Sequence, residues 1–296
     1  MLIFFAFSNL IIVCVLLLSL AIILKQFQLT KCAKTSGYKN DANCGLRDED
    51  NDDDNNDKPK FYIVGGITVK KTNEIPFLVV IKNDGKVICG GSILNEQWVL
   101  TAAHCFKGRE KIKSKYRLHV GTVTSEGGKA YKIKRIIVHP VFSYETMNSD
   151  IALLKIDGKI KLGSTVRTVC LPTVSHSKST GEVTVAGFGR VVHQGKQADK
   201  LQMVKLPIIT NKKCQKMYGD LSLEDQLTIY DTNMCTWFKG RDSCEGDSGG
   251  PAFQVKNNKN ILVGIISFGW DCADHHPGVY TRVSDFLDWI KTNIKK

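Results

Sequence analysis

Residues 77–103 read FLVVIKNDGKVICGGSILNEQWVLTAA, three apolar runs separated by polar residues. FLVVI, VICGGSIL and WVLTA are short and rich in Val and Ile, and Asn83-Asp84-Gly85 between the first two is a turn signal. The pattern continues outward in YRLHV, RIIVHPVF, IALLKI, EVTVAGFG, LVGIISFG and GVYTRV. Runs of this length punctuated by Gly, Asn-Asp and Pro predict an all-β sandwich or barrel from Phe61 onward. Helix signals come late. SDFLDWIKTNIKK, residues 284–296, offers Ser284 as N-cap, Phe286, Trp289, Ile290 and Ile294 on one face, and Lys291, Lys295 and Lys296 where cations favour a helix C-terminus.

The chain has 296 residues, 43% of them hydrophobic, with 25 Gly, 7 Pro and 10 Cys. These values exclude a miniature disulfide scaffold, a collagen-like chain and wholesale disorder. Residues 2–24 carry no charge, and Lys25, Lys31, Lys34 and Lys39 follow them. Residues 1–24 therefore read as a signal peptide, with Ser19-Leu20-Ala21 as a cleavage site, or as a signal anchor, since about 20 apolar residues span a bilayer. Residues 25–62 read as a propeptide whose DEDNDDDNND run, residues 48–57, is a solvated acidic linker. The net charge is +12, and residues 63–296 carry 34 basic against 21 acidic residues. The basic character belongs to the folded part. There is no fixed-period repeat and no N-x-S/T sequon.

Five strings require a joint explanation: IVGG at 63–66, TAAHC at 101–105, NSDIALL at 148–154, DSCEGDSGGP at 242–251 and SFG at 267–269. A Gly-rich stretch such as GDSGGP would by itself read as an ordinary turn. In this set and order, the strings make residues 63–296 resemble a chymotrypsin-fold (trypsin-like) serine protease. The resemblance implies two packed six-stranded antiparallel β barrels with a C-terminal helix, and catalytic residues in the cleft between them.

The resemblance assigns His104, Asp150 and Ser248 to a catalytic triad. A serine hydroxyl is a weak nucleophile until a base takes its proton. An imidazole, with an ordinary pKa of about 6.5, can accept that proton and return it to the leaving amine. A carboxylate on the other ring nitrogen fixes the tautomer and stabilises the imidazolium. By the same carry-over, the backbone N–H groups of Gly246 and Ser248 form the oxyanion hole. Asp242 lies at the base of the S1 pocket between Gly269 and Gly278, so cleavage after Arg or Lys is expected. Ile63, freed by cleavage, pairs with Asp247, which makes the chain a zymogen. The implied partners are protein or peptide substrates, an activating protease and protein inhibitors, with no metal, cofactor or nucleic acid. A non-enzymatic binding homologue would reveal itself by a substituted triad residue, and all three are intact.

The family pattern also implies disulfides Cys89–Cys105, Cys214–Cys235, Cys244–Cys272 and Cys44–Cys170, the last keeping the propeptide attached. Spacing alone proves none of them. Disulfides belong to an oxidising compartment, so the expected location is secreted, or membrane-anchored at the cell surface. If Cys14 leaves with a signal, Cys32 is a free thiol, an intermolecular bridge or a competitor of Cys44.

Several residues depart from the pattern. Tyr62, not Arg or Lys, precedes Ile63, Lys58 is blocked by Pro59, and a cut after Lys60 leaves Phe61-Tyr62 in front. Activation is thus expected by chymotrypsin-like cleavage after Tyr62, or by cutting after Lys60 and trimming. Gly187-Phe188-Gly189 and Phe268 replace commoner Trp-containing strings. Glu245 and Asp271 add negative charge near the substrate path, so acidic residues flanking the scissile bond are expected to be disfavoured. The loop after HVG has one acid, Glu126, too few for calcium. Lys129, Lys132, Lys134 and Arg135, with KGREKIKSK at 107–115, form either a solvated charged face or an exosite for an anionic glycan or acidic partner.

Overall fold

The computed structural model describes residues 40–47, 65–173, 180–192, 195–219, 227–272 and 275–295. The N-terminal apolar segment, the acidic run, Tyr62, Ile63, Cys14 and Cys32 lie outside the described residues.

Asp84 and Gly85 both adopt positive φ, 47° and 83°, and join β2 (Leu78–Asn83) to β3 (Lys86–Asn95) in a two-residue turn. Such turns match the right-handed twist of the flanking strands, which is why Asp-Gly specifies a hairpin here. The hairpin belongs to a sheet with β4 (Trp98–Thr101), β5 (Tyr116–Val120), β6 (Lys129–Tyr131), β7 (Ile133–Val138) and β8 (Ala152–Ile156). Its order is β6-β5-β2-β3-β4-β8-β7.

The later half of the chain forms a second sheet. It contains β1 (Ile67–Thr68), β9 (Glu182–Gly187), β10 (Gln202–Ile209), β11 (Asn233–Thr236), β12 (Pro251–Lys256), β13 (Lys259–Phe268) and β14 (Gly278–Arg282). Its order is β1-β10-β11-β14-β13-β12-β9, and β9 also pairs with β10, closing a six-stranded barrel that β1 joins from outside. The first sheet is curled, and its two edge strands, β6 and β7, are successive halves of one segment that turns at Lys132. All pairings between these strands are antiparallel. The expected all-β architecture of two antiparallel halves therefore holds, with one difference: the second half closes as a six-stranded barrel, whereas the first is a curled half-barrel sheet of seven strand pieces whose edge strands do not pair among the described residues.

Each half fills its interior with the inward side chains of its strands. Val183, Val185, Leu206, Met234, Val263 and Tyr280 cluster in the second. Phe77 and Phe253 meet edge to face at 5.1 Å, joining the two halves. The C-terminal segment differs from expectation at its start. Val283–Phe286 form a 3₁₀ turn before the helix Leu287–Ile294, and Ser284 bonds Asp285 instead of capping. Arg282 is still extended as the last residue of β14, its N–H bonded to Thr232 O, so the chain leaves the sheet through a tight turn. Phe286 and Trp289 then pack on His139, just beyond β7.

Residues 40–47 are strapped onto this body. Cys44 is bonded to Cys170, Gly45 N–H donates to Thr168 O, and Asn260 N–H donates to Gly45 O. Asn40 makes reciprocal 2.9 Å hydrogen bonds with the backbone of Leu171, and Lys259 Nζ donates to Ala42 O.

Candidate active site

His104 sits in the turn after β4, and Asp150 sits two residues before β8, its strand neighbour. Pairing of β4 with β8 is what brings residues 46 positions apart together. His104 Nδ1 lies 2.8 Å from Asp150 Oδ2, and His104 N–H donates to Asp150 Oδ1 at 2.8 Å. Asp150 is fully buried; its Oδ2 also accepts from Ser267 Oγ at 2.6 Å, and its carbonyl accepts from Thr281 Oγ1 at 2.8 Å. A buried carboxylate held by this many donors has one available orientation, and it holds the imidazole in turn. Tyr144 Oη anchors the same turn by donating to His104 O and Lys107 O. Ser267 and Thr281 received no role from the sequence, although Ser267 stands in the quoted SFG string.

Ser248 is placed by backbone bonds between the two halves. Gly90 N–H donates to Ser248 O at 2.7 Å, Thr101 Oγ1 donates to Gly90 O, and Gly249 N–H donates to Ile266 O. The Cys89–Cys105 disulfide ties the His104 turn to the strand carrying Gly90. The Ser248 loop thus lies against the His104 turn. No hydrogen bond joins the Ser248 hydroxyl to His104 among the described residues; in unliganded sites such bonds often tighten only when substrate binds.

Asp247 is fully buried, accepting from Gly189 N–H at 2.6 Å and Cys244 N–H at 3.0 Å. Burial pushes its carboxyl up to about 6, against those two hydrogen bonds. A Cβ on Gly187 or Gly189 would lie 2.1 or 2.4 Å from this side chain, so both glycines of GFG are required by the carboxylate behind them. Ile63 lies outside the described residues.

Asp242 is buried, takes Ser243 N–H at 2.8 Å, and has no cationic partner among the described residues. Burial pushes its carboxyl up to about 8, aided by the charges of Asp247 and Asp271. A Cβ on Gly278 would lie 2.5 Å from Asp242 Oδ1, and one on Gly269 would lie 3.8 Å from Oδ2. The three residues therefore form one small recess, and Cys244–Cys272 braces its two loops. The four implied disulfides are all present.

The two acids expected to charge the substrate path are committed elsewhere. Glu245 pairs with Arg190 at 2.7 Å. Asp271 accepts from the N–H groups of His275 and His276 and from the His276 ring. Partial burial would raise its carboxyl, but these hydrogen bonds win and hold it below the usual carboxylate range. Glu126 pairs with Lys82. The one metal-sized cluster among the described residues is Cys89, His104 and Cys105. Its sulfurs form a disulfide, so no thiolate is available to a metal.

A β barrel and a curled β sheet with a His–Asp pair and a serine loop where they meet have the arrangement of a serine hydrolase. The family model for trypsin matches residues 63–290, and the chain belongs to the trypsin family of serine endopeptidases. Over 247 residues it is 38% identical to the venom peptide isomerase heavy chain of Agelenopsis aperta, covering 78% of this chain and 100% of that one. It is 36% identical to putative trypsin-6 of Homo sapiens and to trypsin II-P29 of Gallus gallus, each covering 78% of this chain and 89% of the relative.

Proposed function

We propose that the protein is a secreted, zymogen-type serine endopeptidase that hydrolyses peptide bonds after Arg or Lys. The observation that carries this specificity is Asp242, a buried carboxylate between two glycines with no counter-ion among the described residues. A substrate guanidinium or ammonium would supply the missing charge, and the glycines leave room for its stem. Ser248 Oγ attacks the scissile carbonyl, His104 takes the proton and returns it to the leaving amine, and Asp150 stabilises the imidazolium. The N–H groups of Gly246 and Ser248 receive the oxyanion, a donor pair of which each member is worth about 3 kcal/mol.

Cleavage before Ile63 would supply an α-ammonium to Asp247, whose buried carboxylate suits a switch because a lone charge there is costly. Four disulfides support an oxidising compartment. Residues 1–24 then serve as signal or anchor, and the mass of the native protein separates the two. An activating protease and protein inhibitors follow as partners. Lys111, Lys113, Lys134 and Arg135 are exposed where the 3₁₀ turn Glu110–Lys115 packs on β7, which supports an anionic glycan exosite. Salt-sensitive retention on heparin checks it.

The deciding experiment cleaves recombinant zymogen before Ile63 and assays peptides with Arg, Lys or aromatic P1 residues, with Ser248→Ala as control. Cleavage after Arg and Lys, absent in the control, is expected. Aromatic preference overturns the specificity, and activity in the control overturns the mechanism. The peptide isomerase relative supplies a second reading, epimerisation by the same imidazole base. Chiral analysis separates them, because hydrolysis yields two fragments and epimerisation a product of unchanged mass.

A further inference from the structure

The peptide linking Glu245 to Gly246 carries two groups that point opposite ways, because a trans peptide holds its C=O and N–H antiparallel. The carbonyl belongs to Glu245. The N–H belongs to Gly246, the group assigned above to the oxyanion. Orienting one end therefore orients the other.

Arg190 holds Glu245 twice, once at its peptide carbonyl and once at its side-chain carboxylate. Its backbone N–H donates to Glu245 O at 2.8 Å, and its side-chain Nε lies 2.7 Å from Glu245 Oε2. Arg190 directly follows Gly189, whose N–H holds Asp247 Oδ1. One dipeptide thus grips the loop on both sides of Gly246. Gly246 itself adopts φ 99°, a conformation that favours glycine and gives its peptide no side-chain restraint of its own. Gln197 closes the neighbouring space, since a Cβ on Gly246 would lie 2.5 Å from Gln197 Nε2.

We propose that the Arg190 side chain is a positioning residue for peptide hydrolysis: by pairing with Glu245 it keeps the Glu245–Gly246 peptide turned with Gly246 N–H toward the oxyanion. The proposal rests on the assignment of that N–H to the oxyanion. The two side chains are 35% and 59% exposed, so the pair is partly screened and its share is modest. The backbone bond from Arg190 survives side-chain replacement, so a variant is weakened and not inactive.

The test uses the activated enzyme with Arg190→Gln, Glu245→Gln, the double variant, and the exchange Arg190→Glu with Glu245→Arg. Each single variant should lower kcat about threefold to fivefold with KM little changed, the size of an exposed ion pair. Affinity for a peptide aldehyde, whose tetrahedral adduct carries the oxyanion, should fall by the same factor, while affinity for an aryl amidine in the Asp242 recess stays constant. The double variant should be no worse than a single one, and the exchange should recover most of the loss. Additive losses, or losses confined to KM and amidine affinity, overturn the proposal alone. A Ser248→Ala enzyme that keeps its activity overturns it together with the reading on which it rests.

Discussion

Removing the Cys44–Cys170 bond, as Cys44→Ser with Cys170→Ser, should have different consequences before and after activation. The cysteines are 126 residues apart in sequence, and a cut before Ile63 falls inside the loop they close. In the intact chain the chain-entropy relation assigns such a cross-link about 5 kcal/mol, against about 3 kcal/mol for the 16-residue span of Cys89–Cys105. At about 2–4 °C per kcal/mol for a domain of this size, the intact variant should melt about 10–20 °C lower. Once the chain is cut, the bond closes no loop and joins two chains. Its removal then costs only the docking of residues 40–47, held by the hydrogen bonds of Asn40, Gly45 and Ala42. That cost depends on protein concentration, because a separated strap binds by mass action. Urea unfolding of a Ser248→Ala background, intact and cleaved, at two protein concentrations measures all four cases. Equal, concentration-independent losses in both forms, or a loss under about 1 kcal/mol in the intact form, would refute the reasoning.

Ligand binding at Asp242 should be linked to protons. With its carboxyl raised to about 8, the free recess is mostly protonated at neutral pH, and a cation selects the ionised form. Amidine affinity of the Ser248→Ala enzyme should therefore rise nearly tenfold per unit below about pH 7 and level off above about 8, with proton release on binding; flat affinity from pH 6 to 9 contradicts this. Gly189→Ala would drive a Cβ against Asp247, 2.4 Å from its carboxyl carbon. It should cost about 1–3 kcal/mol of stability and lower the titre of active sites, and an unchanged melting temperature and titre would count against it.

What the sequence disclosed was local, and what it hid was long-range. Asn83-Asp84-Gly85 marked a turn, and the structure makes it a hairpin because Asp and Gly both tolerate the positive φ that the two-residue turn requires. The strings around His104, Asp150 and Ser248 were legible only as a set, through the family resemblance that their order and spacing carry, although each is a short local stretch beside one strand. Ser267 and Thr281, which hold Asp150 from 117 and 131 positions away, were not legible, since only the meeting of the two halves gives them a partner. The break at Lys132 puts the two halves of one segment at opposite edges of a curled sheet, a long-range arrangement that periodicity does not encode. Ser284 failed as a cap because β14 still governs the backbone one residue before the 3₁₀ turn begins.

The same distinction changes the electrostatics of the cleft. From sequence, Asp242, Glu245 and Asp271 are three negative charges close to one recess, which would repel acidic residues on either side of the cut. In the fold, Glu245 is matched by Arg190, and Asp271 is turned onto the N–H groups of its own loop, with 19% of its side chain exposed. Of the three, Asp242 is the one with no cationic partner among the described residues, and it is buried between Gly269 and Gly278. A buried carboxyl that ionises only when a cation pairs with it discriminates strongly, whereas a screened surface pair discriminates little. On the proposed reading of Asp242 as the base of the S1 pocket, electrostatic selection by these acids is concentrated at the residue before the scissile bond, and Glu245 and Asp271 give it little extension to the flanking residues.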